Sequence, residues 1–149
     1  MKFEKETFIK ASQERVFDFH TLPDAFERLV PPWEDVEIVQ RADISEIGSQ
    51  AIIKQKMFGL PIATWVAEHT AFDPPEMFED TQVSGPFKRW VHKHFVIEKE
   101  GGALLRDEIE FEPPFSFLGA AVAPYLILPK IKKMFDYRHQ VTKDWCESE

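Results

Sequence analysis

The sequence predicts an α+β fold: a curved antiparallel sheet of about seven strands wrapped on a long C-terminal helix, with two short helices after the first strand. Three observations predict it. Segments with strand patterning, separated by turn signals, fill the middle of the chain. A single stripe near i, i+3, i+4 spacing (Leu128, Ile131, Met134, Phe135, Arg138, Val141, Trp145) marks its last part. Paired prolines at 31–32, 74–75 and 113–114 separate these parts, since proline fits neither helix interiors nor central strands. A length of 149 residues suits one domain, 1–149, with one core.

The first element is a strand over Phe3 to Lys10, alternating but without a clear inner face. Ser12 is placed to N-cap a helix carrying Val16, Phe17, Phe19 and His20; Arg15 stands where a capping box would have Glu or Gln. Thr21-Leu22-Pro23 breaks that helix, and a second runs from Pro23 to Leu29, stopped by Pro31-Pro32. Val36 to Arg41 is the next strand. Gln50 to Phe58 and Ile62 to Phe72 form a hairpin about Gly59-Leu60-Pro61. Met77 to Val83, Phe87 to Lys99 and Leu104 to Glu112 follow, joined at Ser84-Gly85-Pro86 and Glu100-Gly101-Gly102. Residues from Leu118 to Glu147 have helical period, and Pro124 and Pro129 delay the regular helix to about Pro129.

Composition narrows the function classes. A formal net charge of -8 argues against nucleic acid, whose phosphates need clustered Lys and Arg. The lone Cys146 excludes an intrachain disulfide and a multi-cysteine zinc site, and fits a reducing compartment. Met1 to Lys10 is charged and lacks the apolar run of a signal peptide. Pro113 to Pro129 is uncharged but too short and proline-rich to span a membrane. A cytoplasmic protein is expected. The 14 Phe against 2 Tyr supply rigid apolar walls that need no hydroxyl partner.

Strand parity identifies the inner face. Arg106, Glu108, Glu110 and Glu112 face water, so Leu105, Asp107, Ile109 and Phe111 face inward. A turn at Gly101-Gly102 sets His94 opposite Ile109 and Val96 opposite Asp107, with Glu108 and Glu110 beside Phe95 and Lys93 outside. The turn at Gly85-Pro86 sets Asp80 opposite His92 and Gln82 opposite Trp90. The inner face then carries Phe78, Asp80, Gln82, Trp90, His92, His94, Asp107, Ile109 and Phe111. More than half of these are polar, and a buried carboxylate is costly unless paired. Such a mixture points to a wide internal cavity with polar anchors on apolar walls. Arg138, on the stripe of the last helix, is the natural counterion for Asp107 or Asp80.

Other residues carry less. His92-x-His94 has a spacing that binds zinc or iron in strands, but no further ligand beyond Asp80 or Asp107 is evident, and neither metal nor cofactor is expected. Cys146 lies among acidic residues that raise a thiol pKa, which disfavours a nucleophile. His20, His69 and His139 have no identifiable partner. The stretch from Pro113 to Pro129, rich in Phe, Leu, Val and Ala, is either packed under the sheet or an irregular apolar lid over the cavity mouth, able to touch a membrane through residues 115–128. Trp33 either rims the same mouth or plugs a loop.

The opening Phe8-Ile9-x-Ala11-x-x-Glu14-x-Val16-Phe17, the segment Asp80-Thr81-Gln82-Val83-x-Gly85-Pro86-Phe87, the run Trp90-x-His92-x-His94-Phe95, and Asp107 together resemble the START-related (SRPBCC) superfamily, a bacterial ligand-binding branch of it. The superfamily includes polyketide cyclases, lipid-transfer domains and birch-pollen-allergen-like carriers. The resemblance implies a helix-grip fold with a cavity between sheet and C-terminal helix. Its implied function is binding or transport of a small hydrophobic molecule, lipid-, polyketide- or aromatic-like. The expected ligand-binding residues are Asp80, Gln82, Trp90, His92, His94, Asp107, Ile109, Phe111 and Arg138. The alternative is a cyclase- or hydratase-type enzyme with His94 or Asp107 as acid/base. A third reading is an interaction protein using the surface from Phe115 to Leu128.

Overall fold

The computed structural model describes residues 1–57 and 60–148. In chain order it contains β1 (Lys2–Ile9), α1 (Gln13–Thr21), α2 (Ala25–Leu29), β2 (Val36–Gln40), β3 (Gln50–Met57), β4 (Leu60–Asp73), β5 (Met77–Ser84), β6 (Arg89–Lys99), β7 (Gly102–Glu112), α3 (Ser116–Leu126) and α4 (Leu128–Glu147). The strands form one seven-stranded antiparallel sheet in the order β1-β7-β6-β5-β4-β3-β2. After β1 pairs with β7, each strand pairs with its neighbour in sequence, and α4 packs against β1 and the helices α1, α2 and α3. This is the α+β helix-grip that the sequence predicts. The turn expected at Gly59 lies outside the described residues.

The local signals explain most boundaries. Ser12 caps α1, its Oγ accepting from Arg15 N at 3.1 Å. Arg15, lacking a capping-box role, instead reaches the other end of the chain. Its Nε donates to Cys146 O at 2.7 Å, and its Nη2 to Trp145 O at 3.1 Å and Ser148 O at 2.9 Å. It thus helps satisfy the carbonyls at the end of α4, which lack intrahelical donors, together with the Ser148 hydroxyl on Trp145 O. Pro129 sits in the first turn of α4, where its missing N–H costs nothing.

Three expectations change. The β6–β7 register sets Trp90 opposite Phe111, His92 opposite Ile109, His94 opposite Asp107 and Lys93 opposite Glu108. The tight turn is Glu100-Gly101, with Gly101 at φ +81°, between Lys99 and Gly102. That is a slip of two residues from the expected register, so every side chain keeps its face and only the neighbours change. Second, β1 has an inner face, Phe3, Lys5, Thr7 and Ile9, of which the first three are half-buried and Ile9 is buried. Third, the apolar stretch after Pro113-Pro114 is neither irregular nor buried. It forms α3, which rests chiefly on α4 and exposes Phe115, Phe117, Leu118, Tyr125 and Leu126.

Two apolar clusters fill the space between sheet and helices. One joins Ile9, Val16, Phe17, Phe19, Phe78, Val96, Leu105 and Cys146. The other joins Trp90, Ile109, Phe111, Ile131 and Phe135, with Trp65 and Phe87 against it. The aromatic rings therefore largely occupy the interior rather than line open space. Trp65, Phe87, Trp90 and Phe111 touch one another with ring centroids 4.8–5.9 Å apart.

Candidate functional site

A polar layer joins the two clusters. His94 stacks on Phe78 of the first, at 4.0 Å and 10° between ring planes. His92 meets Phe135 of the second edge-on at 5.2 Å. The layer is centred on Asp107, contributed by β7 and buried. Its Oδ1 lies 2.7 Å from His92 Nε2 and 2.8 Å from His94 Nδ1. Its Oδ2 lies 2.5 Å from His139 Nε2 on α4. The Thr7 hydroxyl of β1 closes the chain 2.8 Å from His139 Nδ1. Asp80 of β5 adds a second carboxylate, 3.1 Å from His94 Nε2 and 3.8 Å from His92 Nδ1.

Charge follows from this geometry. Both nitrogens of His94 face carboxylate oxygens, so both carry protons and the ring is an imidazolium. Burial opposes that charge, yet Asp107 and Asp80 outweigh it and raise the His94 pKa to about 9. Burial likewise opposes the charge on Asp107, and His94, His139 and His92 reverse the effect, holding its carboxyl well below the usual range. Asp80 is lowered too, the histidine contacts outweighing its desolvation. His92 is lowered by burial and by the charge on His94. His20 of α1 is driven down to about 4, by burial first and His94 second. The layer thus holds a charged His94 beside His92 and His20, whose charged forms are disfavoured.

Between sheet and α4 lies the expected cavity, lined by His20, Leu29, His94, Leu105, Phe135 and Arg138, with Asp107, His139 and Thr142 completing it. It measures about 20 Å³, room for about one water. The sequence predicts a wide cavity. The difference arises because Phe135 and the aromatic cluster around Trp90 take up the volume, and because the polar inner-face residues satisfy one another.

The expected site residues separate into three groups. Asp80, His92, His94 and Asp107 come together. Trp90, Ile109 and Phe111 are buried in the aromatic cluster beside them. Gln82 points its amide into the β5–β6 turn, donating to Phe87 O at 2.7 Å and accepting from Phe87 N at 3.3 Å. Arg138 lines the cavity but is not the counterion of either aspartate. Among the described residues the histidines fill that role, and Arg138 Nε donates to Leu29 O at 3.3 Å. Burial lowers its pKa somewhat. Trp33 is remote, edge-on to Tyr137 and under Lys133 Nζ at 4.3 Å. Sequence reasoning missed His139, His20 and Thr7. His139 had a signal: it falls four residues after Phe135 on the buried line of Ile131, Phe135, His139, Thr142 and Cys146.

Comparison with known proteins fits this architecture. Residues 9–134 match the family described as polyketide cyclase / dehydrase and lipid transport. The chain belongs to that family. Solved members of the same fold include a Chromobacterium violaceum protein, with a TM-score of 0.76 at 14% identity over 100% of this chain and 99% of that one. Ara h 8.0201 matches with a TM-score of 0.73 at 15% identity over 100% and 99%. A nucleoside-diphosphate sugar epimerase from Corynebacterium glutamicum reaches 26% identity and a TM-score of 0.69, over 95% of this chain and 28% of that one. No curated protein sequence matches. Among the described residues no helix is long and apolar enough to cross a membrane.

Proposed function

We propose that this family member binds a small hydrophobic molecule carrying one polar, acceptor-rich end. The observation that carries the reading is the composition of the cavity. Leu29, Leu105 and Phe135 form apolar walls, and two cationic side chains also line it, Arg138 from α4 and His94 from β6. A carboxylate or carbonyl seated there would accept charge-assisted hydrogen bonds from the Arg138 guanidinium, of which, among the described residues, only Nε is taken up, by Leu29 O. The family's description includes lipid transport, and polyketide-cyclase chemistry also acts on apolar oxygenated molecules.

A ligand larger than a water needs the cavity to open, and α3 is the element placed to allow it. Its main contact is α4, most of its apolar side chains meet solvent, and it is entered through Phe115 and Ser116 at positive φ (65° and 50°), a costly backbone for such residues. Ile127 and Leu128, where α3 joins α4, pack against the aromatic cluster, so a displacement of α3 would pull on that packing. The same exposed face, residues 115–128, is the surface that would meet a membrane or a donor during loading. An acid/base role has less support, because Asp107 is already hydrogen-bonded to His92 and His139 and ion-paired with His94.

Native mass spectrometry of freshly purified protein, followed by titration of the delipidated protein with fatty acids and aromatic carboxylic acids, tests the reading. A bound small molecule is expected, and Arg138→Met should weaken binding of the acids by roughly 10-fold or more. Absence of any adduct, together with no change in melting temperature across the panel, would overturn it.

A further inference from the structure

We propose that Asp80, His92 and His94 form a binding site for a zinc-class divalent transition metal, with Asp107 as the carboxylate that orients both imidazoles. The proposal shares His94 with the cavity above, but it does not require the hydrophobic ligand and stands whether or not one is found.

The geometry points to it in three ways. One ligand atom from each of the three residues lies within 4.8 Å of the others. Asp80 Oδ2 is 3.1 Å from His94 Nε2 and 3.8 Å from His92 Nδ1. Ligands about 2.0–2.2 Å from a tetrahedral zinc stand roughly 3.3–3.5 Å from each other, so the three atoms need only small shifts to share an ion. A cation there takes the position of the proton that His94 Nε2 now shares with Asp80.

The second feature separates this cluster from a casual group of polar side chains. Metal-binding histidines usually donate their other ring N–H to a carboxylate, which fixes tautomer and ring orientation. Here one oxygen, Asp107 Oδ1, serves both rings, 2.7 Å from His92 Nε2 and 2.8 Å from His94 Nδ1. That arrangement turns His92 Nδ1 and His94 Nε2 toward Asp80. His139 holds the opposite oxygen of Asp107 from α4, so the orienting carboxylate is itself anchored.

Third, the positions are rigid and reachable. Asp80 and His92 are directly opposite on β5 and β6, and His94 follows two residues on, on the same face. Asp80 and His94 keep 17% and 12% of their side-chain surface exposed, which leaves an ion a way in. Two imidazoles and one carboxylate favour zinc and its neighbours over magnesium or calcium, which prefer all-oxygen shells. Three protein ligands also leave a coordination position open.

The test uses full-length protein stripped with a chelator and titrated with Zn²⁺ by calorimetry and with Co²⁺ by visible absorption. One equivalent is expected, with the intense cobalt bands of a four-coordinate site. Asp80→Asn and His92→Gln should each weaken binding at least about 100-fold, and Asp107→Asn roughly 10- to 100-fold. Cys146→Ser should leave it unchanged, which excludes a thiol site. Imidazole ¹⁵N spectra of the unaltered protein give a second readout that depends on no variant: Zn²⁺ should shift His92 and His94 and spare His69. No binding of either ion at micromolar concentration, or binding that leaves the His92 and His94 signals in place, overturns the proposal.

Discussion

His139 Nε2 lies 2.5 Å from Asp107 Oδ2, tying the terminal helix to strand β7 at a point where both side chains are buried. The contact spans the whole interior, and the Thr7 hydroxyl at His139 Nδ1 extends it to the edge strand β1. A buried carboxylate that loses a donor retains its desolvation cost, so the tie should be felt in global stability. His139→Ala is expected to cost about 2–3 kcal/mol in urea denaturation. Asp107→Leu, which strands the imidazolium of His94, is expected to cost about 3–5 kcal/mol. A double-mutant cycle should be less than additive, because both changes break one network. Additive losses would show that the contact carries no energy of its own.

Stability should peak near pH 6.5 in protein kept metal-free with a chelator. The folded pKa of His94, about 9, lies above its ordinary 6.5. Its contribution is therefore full below pH 6.5 and disappears as pH rises to about 9, a change on the order of 3 kcal/mol. His20 acts with the opposite sign. Burial and the nearby His94 charge hold its pKa at about 4, so folding is penalised progressively as pH falls from 6.5 toward 4. Asp107, lowered well below its usual value, adds a further acid-side loss at still lower pH. Urea midpoints measured from about pH 4 to about pH 9 should trace a dome, and Asp107→Asn should flatten its alkaline limb. A midpoint still climbing at the alkaline end would contradict the assignment of charge to His94.

Cys146 is expected to be inert in the folded protein. It is buried against α1, and burial pushes its thiol up to about 11, with the Arg15 charge only partly offsetting this. At a mildly alkaline pH its thiolate fraction falls roughly 100-fold or more below that of a free cysteine, and access is restricted as well. Alkylation by iodoacetamide, followed by mass spectrometry, should run at the rate of unfolding and accelerate sharply in urea. Labelling as fast as a model thiol would mean that the end of α4 is open.

The inner-face residues were legible in the sequence because the outer face of β7 is marked by Arg106, Glu108, Glu110 and Glu112. An alternation that strong leaves only one parity for Asp107. The contact between His94 and Asp107 was not legible, because the position of a two-residue turn decides it. Reading the turn one step late, at Gly101-Gly102 rather than Glu100-Gly101, preserves every face and replaces this pair by His94 with Ile109. His139 was overlooked for a different reason. A polar side chain on a helix is ordinarily taken as exposed, and Arg138 beside it drew the role of counterion, although the line from Ile131 through Phe135 to Cys146 passes through His139. The extent of the cavity was beyond sequence reading altogether. Whether aromatic rings line a space or fill it depends on rotamers and packing, which residue types do not specify. The same is true of α3, whose Gly119 and Pro124 suggested irregular backbone. Gly119 lies in its first turns, where it permits close approach, and Pro124 lies near its end.

Gly119 provides the sharpest test of α3 as a distinct element. A Cβ built there would stand 1.7 Å from the carbonyl oxygen of Pro114 and 3.3 Å from Pro113 Cβ. The obstacle is backbone, so no side-chain rotation can relieve it, and the turn that brings the chain from Pro113-Pro114 into α3 must rearrange. Gly119→Ala, a change that would ordinarily favour a helix, is therefore expected to destabilise by about 1–3 kcal/mol. It should also raise amide exchange throughout residues 116–126 while leaving β6 and β7 protected. The paired control is Phe117→Ser, which removes a large side chain that is 78% exposed and should shift stability by less than about 0.5 kcal/mol. If Gly119→Ala instead raises the melting temperature, α3 does not approach the Pro114 carbonyl closely, and α3 is not held at its start by that contact.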